Sequence, residues 1–412
     1  MTDHCSNNTL ISVAEALQHI KLAVPVVTDK ETVTLHDALG RTLAQSCHAP
    51  NHLPAFPNSS MDGYAFNSAD INNTPFDLLE IGTSWAGRPF QGSLSAGQCV
   101  RIFTGAVVPE GADSVIMQEH ITCKEANIIQ FPKNAQAQQN IRYIGEDVKQ
   151  SDCLLSAPKQ LSAIDLGLLA AAGIYEVCVK RKIRIAFFST GDELQPVTNS
   201  LAMGQIYDSN RYTLAALLNN PCYTLNDLGV IKDNKKDLYQ CLISAAQSHD
   251  VIISTGGASV GDADFVKEIL DELGQVNFWK LAIKPGKPLA FGQIKSCDFF
   301  GLPGNPISVI ATFQQIVTPA LRYKMGLTNN TPVRFHAQCN SPLRKQSGRQ
   351  EFQRGILSQT ETGEYEVVSA GKQGSNILSA SSRANCYIIL PREQANTETG
   401  AQVLVEPFSL FL

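Results

Sequence analysis

Apolar positions along this chain repeat with two periods, and the places where the period changes divide it. Residues 11–24 (ISVAEALQHIKLAV) show helical spacing. Ser12 stands at the N-cap and Glu15 three residues on completes a capping box, so a helix is expected there. A short strand and a turn at Gly40-Arg41 follow within 33–43. Residues 47–58 (CHAPNHLPAFPN) are too proline-rich for regular structure. From Asp77 to about Gln130, runs such as CVRIF and SVIMQ alternate with glycine and proline turns, the pattern of short strands. Residues 161–172 read as a helix that stops at Gly173, with a strand through Val179.

Strand and helix then alternate from Lys182 to about Gly326. The pattern predicts a strand at 183–189, a helix at 211–219, a strand at 223–230, a helix at 235–247 and a strand from 251. A further helix carries Phe265, Val266, Ile269, Leu270 and Leu273 on one face and a stop at Gly274. Repeated units of this kind predict a parallel sheet covered on both faces, with ligands at the carboxyl ends of its strands. Residues 331–412 return to short alternating strands (PVRFHAQ, EYEVVS, CYIILP, QVLVEPF), as in a small β-barrel. The expected fold is thus α/β and multidomain. Residues 1–46 with 143–180 form a linking α+β domain, 47–142 an inserted mainly-β domain, 181–326 the central parallel-sheet domain and 327–412 the barrel. Helix 11–24 is free to pack on the sheet domain instead.

Three loops of unusual composition crowd into residues 250–310. The strand Asp250–Ser254 runs into Thr255-Gly256-Gly257-Ala258-Ser259-Val260-Gly261, a glycine loop before a helix. Lys284-Pro285-Gly286-Lys287-Pro288 puts two cations on a stiffened loop, expected to be exposed. Gly301-Leu302-Pro303-Gly304-Asn305-Pro306 opens a second helix, with Asn305 as N-cap and Pro306 at its first position. Glycine turns and free N–H groups at helix starts hold anions. Each loop alone is ordinary turn chemistry; in this order they point to a phosphate-bearing or oxyanion ligand. Asp192, Glu193, Asp233, Ser259 and Asp264 fall at or just past predicted strand ends. Carboxylates there would suit a hard cation such as Mg²⁺.

The 412-residue chain is 43% hydrophobic and 17% charged, the balance of a globular protein. Its net charge of −5 argues against nucleic-acid binding by bulk electrostatics, so an anion must be held by local cations. The 11 cysteines show no metal spacing, which fits reduced thiols in a cytoplasm. No signal peptide or membrane span is expected. Neither a P-loop nor a GxGxxG fingerprint occurs.

The ordered motifs SSMDGYA (59–65), RIFTGA (101–106), GED (145–147), STGDEL (189–194), YDSN (207–210), STGGASVGDAD (254–264), KLAIKPGKP (280–288), GLPGNP (301–306) and GRQEFQRG (348–355) together resemble the molybdopterin molybdenumtransferases. These are the molybdenum insertases, a family that includes the E domain of gephyrin. The resemblance spans nearly the whole chain. It implies an elongated four-domain homodimer with a shared active site, and a central domain that binds molybdopterin. It also implies a reaction in which adenylylated molybdopterin and molybdate give molybdenum cofactor and AMP with Mg²⁺. The upstream adenylyltransferase is an implied partner.

Carried over by motif, the catalytic candidates are Asp62, Thr104, Asp147, Glu193, Asp233 and Asp264, with Glu193, Asp233 and Asp264 as metal ligands. Substrate-binding candidates are Gly256, Gly257, Ser259, Lys280, Lys284, Lys287, Pro303, Pro306, Arg349 and Ser381, the last two as an oxyanion site. Cys386 departs from the family's Gly after Ala384-Asn385 and puts the local turn in question. The alternatives are an adenylyltransferase acting on molybdopterin and a non-catalytic, gephyrin-like scaffold.

Overall fold

The computed structural model describes residues 10–124, 127–256, 265–328 and 331–409. Gly257, Ser259 and Asp264 therefore lie outside the described residues. The chain forms two compact units, one of residues 1–31, 40–42 and 180–412, the other of residues 32–39 and 43–179. Among the described residues no helix is long and apolar enough to cross a membrane.

The first unit is built on a six-stranded sheet with strands ordered 223–231, 183–190, 251–255, 297–302, 288–294 and 274–280. The first four run parallel, as the alternating pattern predicts. Strand 288–294 pairs antiparallel with both of its neighbours, 297–302 and 274–280, and so runs against the others, which corrects the all-parallel expectation. Helix Phe265–Leu273 stops where the sequence predicts, and Gly274 is at once the first residue of strand Gly274–Lys280. A Cβ on Gly274 would lie 2.0 Å from the Gln293 carbonyl oxygen, so the paired backbone demands glycine there.

Helices cover both faces. On one, Ala16 and Ile20 of helix Val13–Ala23 and Leu214 of helix Ser209–Leu217 pack on Ile185, Phe187 and Ile253. On the other, Leu238 and Leu242 of helix Lys235–Ser248, with Val266, Ile269 and Leu270, pack on Phe188, Ile252 and Phe299. Each fully buried Leu, Ile, Val or Phe among them contributes about 1.5–3 kcal/mol by leaving water. The capping box of the first helix is formed as the sequence predicts: Glu15 N–H donates to Ser12 Oγ, and Ser12 N–H to Glu15 Oε2 at 2.7 Å. At the amino ends of the strands Asp250 accepts from the guanidinium groups of both Arg181 and Arg184. This pins the end of the sheet away from the glycine loops.

The C-terminal strands 350–359, 365–369, 335–339, 402–407 and 386–390 close into a barrel, since the first also pairs with the last. A further short strand, Ile283–Lys284, pairs in parallel with Gln350–Glu351. Cys386 makes no turn: it opens a strand, is fully buried and faces Gly355 across the pair. A Cβ on Gly355 would sit 2.9 Å from Cys386 Sγ, so the glycine opposite makes room for the thiol. Residues 350–355 of the GRQEFQRG motif lie in a barrel strand, and Arg354 there is buried.

The second unit holds a six-stranded sheet ordered 114–117, 63–66, 98–102, 76–84, 128–131 and 122–123. Phe66, Phe76 and Phe131 stack within its core. A smaller cluster joins Leu161, Leu169, Val177 and Val179 around helix Ala163–Ala171.

Candidate active site

In the first unit the glycine loops meet at the carboxyl ends of neighbouring parallel strands. Gly256 has φ +84, and a Cβ there would lie 2.3 Å from the Thr190 carbonyl oxygen, so only glycine fits. A Cβ built on Gly304 would come within 4.0 Å of Gly256 Cα, which places the two loops side by side. Hydroxyls line the strand ends: Ser189 and Thr255 hydrogen bond at 3.0 Å, while buried Thr190 Oγ1 and Ser254 Oγ have no partner among the described residues. Asn210 donates to the Gly304 carbonyl at 2.8 Å, and its buried Oδ1 has no partner among the described residues. Buried polar atoms without partners are costly in a packed fold, and a polar ligand is one way to satisfy them. Thr190 and Asn210 are absent from the sequence-derived site, although both lie within motifs that carry the resemblance. A hydroxyl or amide just past a strand end is the signal that could have found them.

The helix start after Gly304 differs from expectation. Pro306 takes the first position, but Asn305 makes no side-chain cap. The Ile307 N–H donates instead to the Ser375 carbonyl at 3.0 Å, so this start is not fully open to an anion. Pro303 is buried and Pro306 half-buried.

The lysine loop packs on this helix. Gly286 has φ +104, and a Cβ there would lie 2.4 Å from Thr312 Oγ1. Pro285 and Gly286 are buried, while Lys284 and Lys287 are exposed. The backbone is thus anchored and both cations face water. Lys284 Nζ also donates to buried Glu351 at 3.1 Å. Lys280, half-buried, ends the edge strand leading into the loop.

The acids Asp192, Glu193 and Asp233 cluster beyond strand 183–190. Asp233 N–H lies 3.4 Å from Asp192 Oδ1. Burial first, and then the charges of Asp192 and Glu193, push the Asp233 carboxyl above its usual range. Among the described residues, however, no three acidic, histidine or cysteine side chains converge closely enough to hold a metal ion. Glu193 and Asp233 supply part of a ligand set, and Asp264 lies outside the described residues.

Ser381 belongs to a helix, Leu378–Arg383, and not to a loop. It lines a groove of about 390 Å³ with Ile310, Leu378, Ser379 and Ser382, and its buried Oγ has no partner among the described residues. Arg349, half-buried, immediately precedes strand Gln350–Gln359; no hydrogen bond joins it to Ser381 among the described residues.

In the second unit Asp62 Oδ1 accepts from both the backbone N–H and the hydroxyl of Thr104, each at 2.8 Å. These bonds hold the Asp62 carboxyl below its usual range. Asp147 lines a separate groove of about 510 Å³ with Leu53, Pro54, Asn58, Arg142 and Glu146. Asn58 is buried there, its Oδ1 without a partner among the described residues.

Three family descriptions match in order: MoeA N-terminal region (domain I and II) over residues 11–173, probable molybdopterin binding domain over 186–323, and MoeA C-terminal region (domain IV) over 336–408. The molybdopterin molybdenumtransferase of Haemophilus influenzae is 42% identical over 98% of this chain and 100% of its own length. That of Nostoc is 35% identical over 92% of this chain and 88% of its own. The crystal structure of the molybdopterin biosynthesis moeA protein from Pyrococcus horikoshii OT3 superposes with a TM-score of 0.84 at 28% identity, covering 97% of this chain and 100% of that one. With glycine loops, lysines and carboxylates where the family motifs fall, the chain belongs to the molybdopterin molybdenumtransferase family.

Proposed function

We propose that this protein inserts molybdenum from molybdate into adenylylated molybdopterin, releasing AMP and forming molybdenum cofactor. The observation that carries this reading is the meeting of Gly256 and Gly304 at adjacent strand ends, with the lysine loop packed on the helix that follows Gly304. The glycines let a phosphate-bearing ligand approach the backbone, and Thr190 Oγ1 and Asn210 Oδ1, without partners among the described residues, supply polar contacts. Lys284 and Lys287 act as point charges for molybdate or phosphate. Asp233 and Glu193, joined by Asp264 on the family resemblance, would hold Mg²⁺. Their fit rests on the like-charge crowding at Asp233, which a dication relieves. When bound, that ion neutralises phosphate oxygens and favours departure of AMP.

Asp62, Thr104 and Asp147 lie in the other compact unit. We read them as reaching the site through a second copy of the chain, in a homodimer. The test is to incubate purified protein with the adenylylated precursor and Mg²⁺, with and without molybdate, and to measure AMP and cofactor. Molybdate-dependent release of both supports the reading. Precursor formed from molybdopterin and ATP would instead identify an adenylyltransferase, and inert protein a scaffold.

A further inference from the structure

The groove of about 510 Å³ in the second unit holds opposite charges that do not pair. Arg142, Glu146 and Asp147 line it together with Leu53, Pro54 and Asn58, and its size suits a small organic ligand. Its walls are tied by backbone. Leu53 N–H donates to the Val148 carbonyl at 2.8 Å, Asp147 N–H to the Leu53 carbonyl at 3.1 Å and Gly145 N–H to the Pro54 carbonyl at 3.0 Å. Arg142 is the antiparallel partner of Asn58, so the two side chains leave the strand pair on one face. Arg142 and Asp147 are both exposed, and among the described residues neither side chain has an ion pair or hydrogen bond. Glu146 differs: its Oε2 accepts from the Tyr143 N–H at 2.8 Å. Asn58 is 7% exposed, and its Oδ1 has no partner among the described residues.

The chemistry of these groups narrows the ligand. The Asp147 carboxylate and Asn58 Oδ1 can only accept. Phosphate and molybdate oxygens are acceptors too, and Asp147 repels them, so this groove does not suit the oxyanion. An ionised carboxylate is met best by two adjacent N–H donors. The 2-amino-4-oxo edge of a pterin has them, in N3–H and the exocyclic amine. Next to them it carries a carbonyl oxygen that can accept from Arg142. Leu53 and Pro54, half-buried, add apolar surface for a flat ring. Adenine offers a carboxylate only one amine, beside an acceptor nitrogen.

We propose that this groove binds the pterin ring, with Asp147 taking the amidine edge, Arg142 the carbonyl oxygen, and Asn58 supplying a further acceptor. The proposal rests on the molybdopterin reading and adds to it the residues that recognise the ring.

The test compares pterin with lumazine, which has an oxygen in place of the exocyclic amine. Calorimetric titration of the purified full chain should show saturable binding of pterin. Lumazine and adenosine should bind about tenfold more weakly or worse. Asp147→Asn should narrow or reverse the preference for pterin over lumazine. Its amide can accept from N3–H and donate to the lumazine oxygen, whereas with pterin that same donor meets the amine. A damaged fold weakens both ligands together, so the change in preference reads recognition. Arg142→Met should weaken pterin and lumazine alike, because both keep the carbonyl. Absence of saturable pterin binding, or equal affinity for pterin and lumazine in the unmodified protein, overturns the proposal. So does pterin affinity unchanged in both variants. Tighter binding of adenosine also overturns it and assigns the groove to the nucleotide half of the precursor. Cofactor formation by the unmodified protein is scored independently: if it proceeds without pterin binding, the site falls and the function stands. If pterin binds with the expected pattern and no cofactor forms, the converse holds.

Discussion

Lys284 Nζ donates to Glu351 Oε1 at 3.1 Å, joining a side chain 46% exposed to one 4% exposed. Glu351 is otherwise met by Gln353 Nε2 at 2.9 Å. Lys284 is therefore an anion ligand candidate and also the counter-charge of a buried acid. The exposed loop expected from sequence would make both lysines dispensable for folding, and for Lys284 that does not hold.

Lys284→Ala should lower unfolding free energy by about 1–3 kcal/mol, because it leaves Glu351 buried without its cation. Lys287→Ala should stay within about 0.5 kcal/mol. Both should weaken molybdate binding. Urea unfolding and equilibrium dialysis of the two variants side by side separate the roles; equal stability of the two would refute the pairing as a structural element.

Divalent-cation binding should strengthen as pH rises through the raised Asp233 value, since the metal takes the carboxylate and the proton competes with it. Burial, then Asp192 and Glu193, place that value above the ordinary carboxylate range. Asp192→Asn should bring it down and shift the binding profile to lower pH. Calorimetric Mg²⁺ titrations across acid to neutral pH read this directly. A profile that does not move in the variant removes the coupling.

Asp250 predicts a pH dependence of stability, set by a carboxyl shifted the other way. Burial alone would raise its carboxyl, but hydrogen bonds from Arg184 and Arg181 outweigh that and hold it well below the usual range. A depressed folded value means stability that is present above the unfolded value of about 4 and lost as pH falls toward the folded one. Asp250→Asn should cost about 1–3 kcal/mol at pH 7, with both arginines partly exposed, and less at pH 3. A difference that is constant with pH would deny the ion pair its role.

The two-copy reading is checked by complementation. An Asp62→Ala chain and an Asp233→Ala chain, each inactive alone, are mixed under subunit exchange. If one copy supplies Asp62 and the other Asp233, one site in each heterodimer carries both lesions and the other neither. About a quarter of all sites should then recover. A mixture as inactive as its parents places both residues in one chain's site.

Local rules made much of this fold legible. The Ser12–Glu15 box, the buried face of helix Phe265–Leu273 and the parallel strands ending at Thr190 and Thr255 all follow from spacing within a few residues. What escaped is set by partners far along the chain. The run PLAFGQI is buried whichever way it points, so its antiparallel direction is not encoded locally. Asn305 has the right position for a cap, but Ser375 supplies the acceptor. Arg354 reads as a surface cation, and only the closed barrel reveals that it reaches the carbonyls of Lys372 and Gly374. The site was legible as a list of loops. That Gly256 touches Gly304, and that Lys284 answers to Glu351, was not.

The short strand Ile283–Lys284 beside Gln350–Glu351 carries one more consequence. The Gln350 N–H donates to the Ala282 carbonyl at 2.8 Å, just ahead of the lysine loop. Whatever quiets that loop must also slow deuterium uptake at the Gln350 amide, in the wall of the barrel. A ligand that ordered the loop would therefore be read at that barrel amide, and a chain cut short at residue 327 would lose the strand that pairs with Ile283–Lys284.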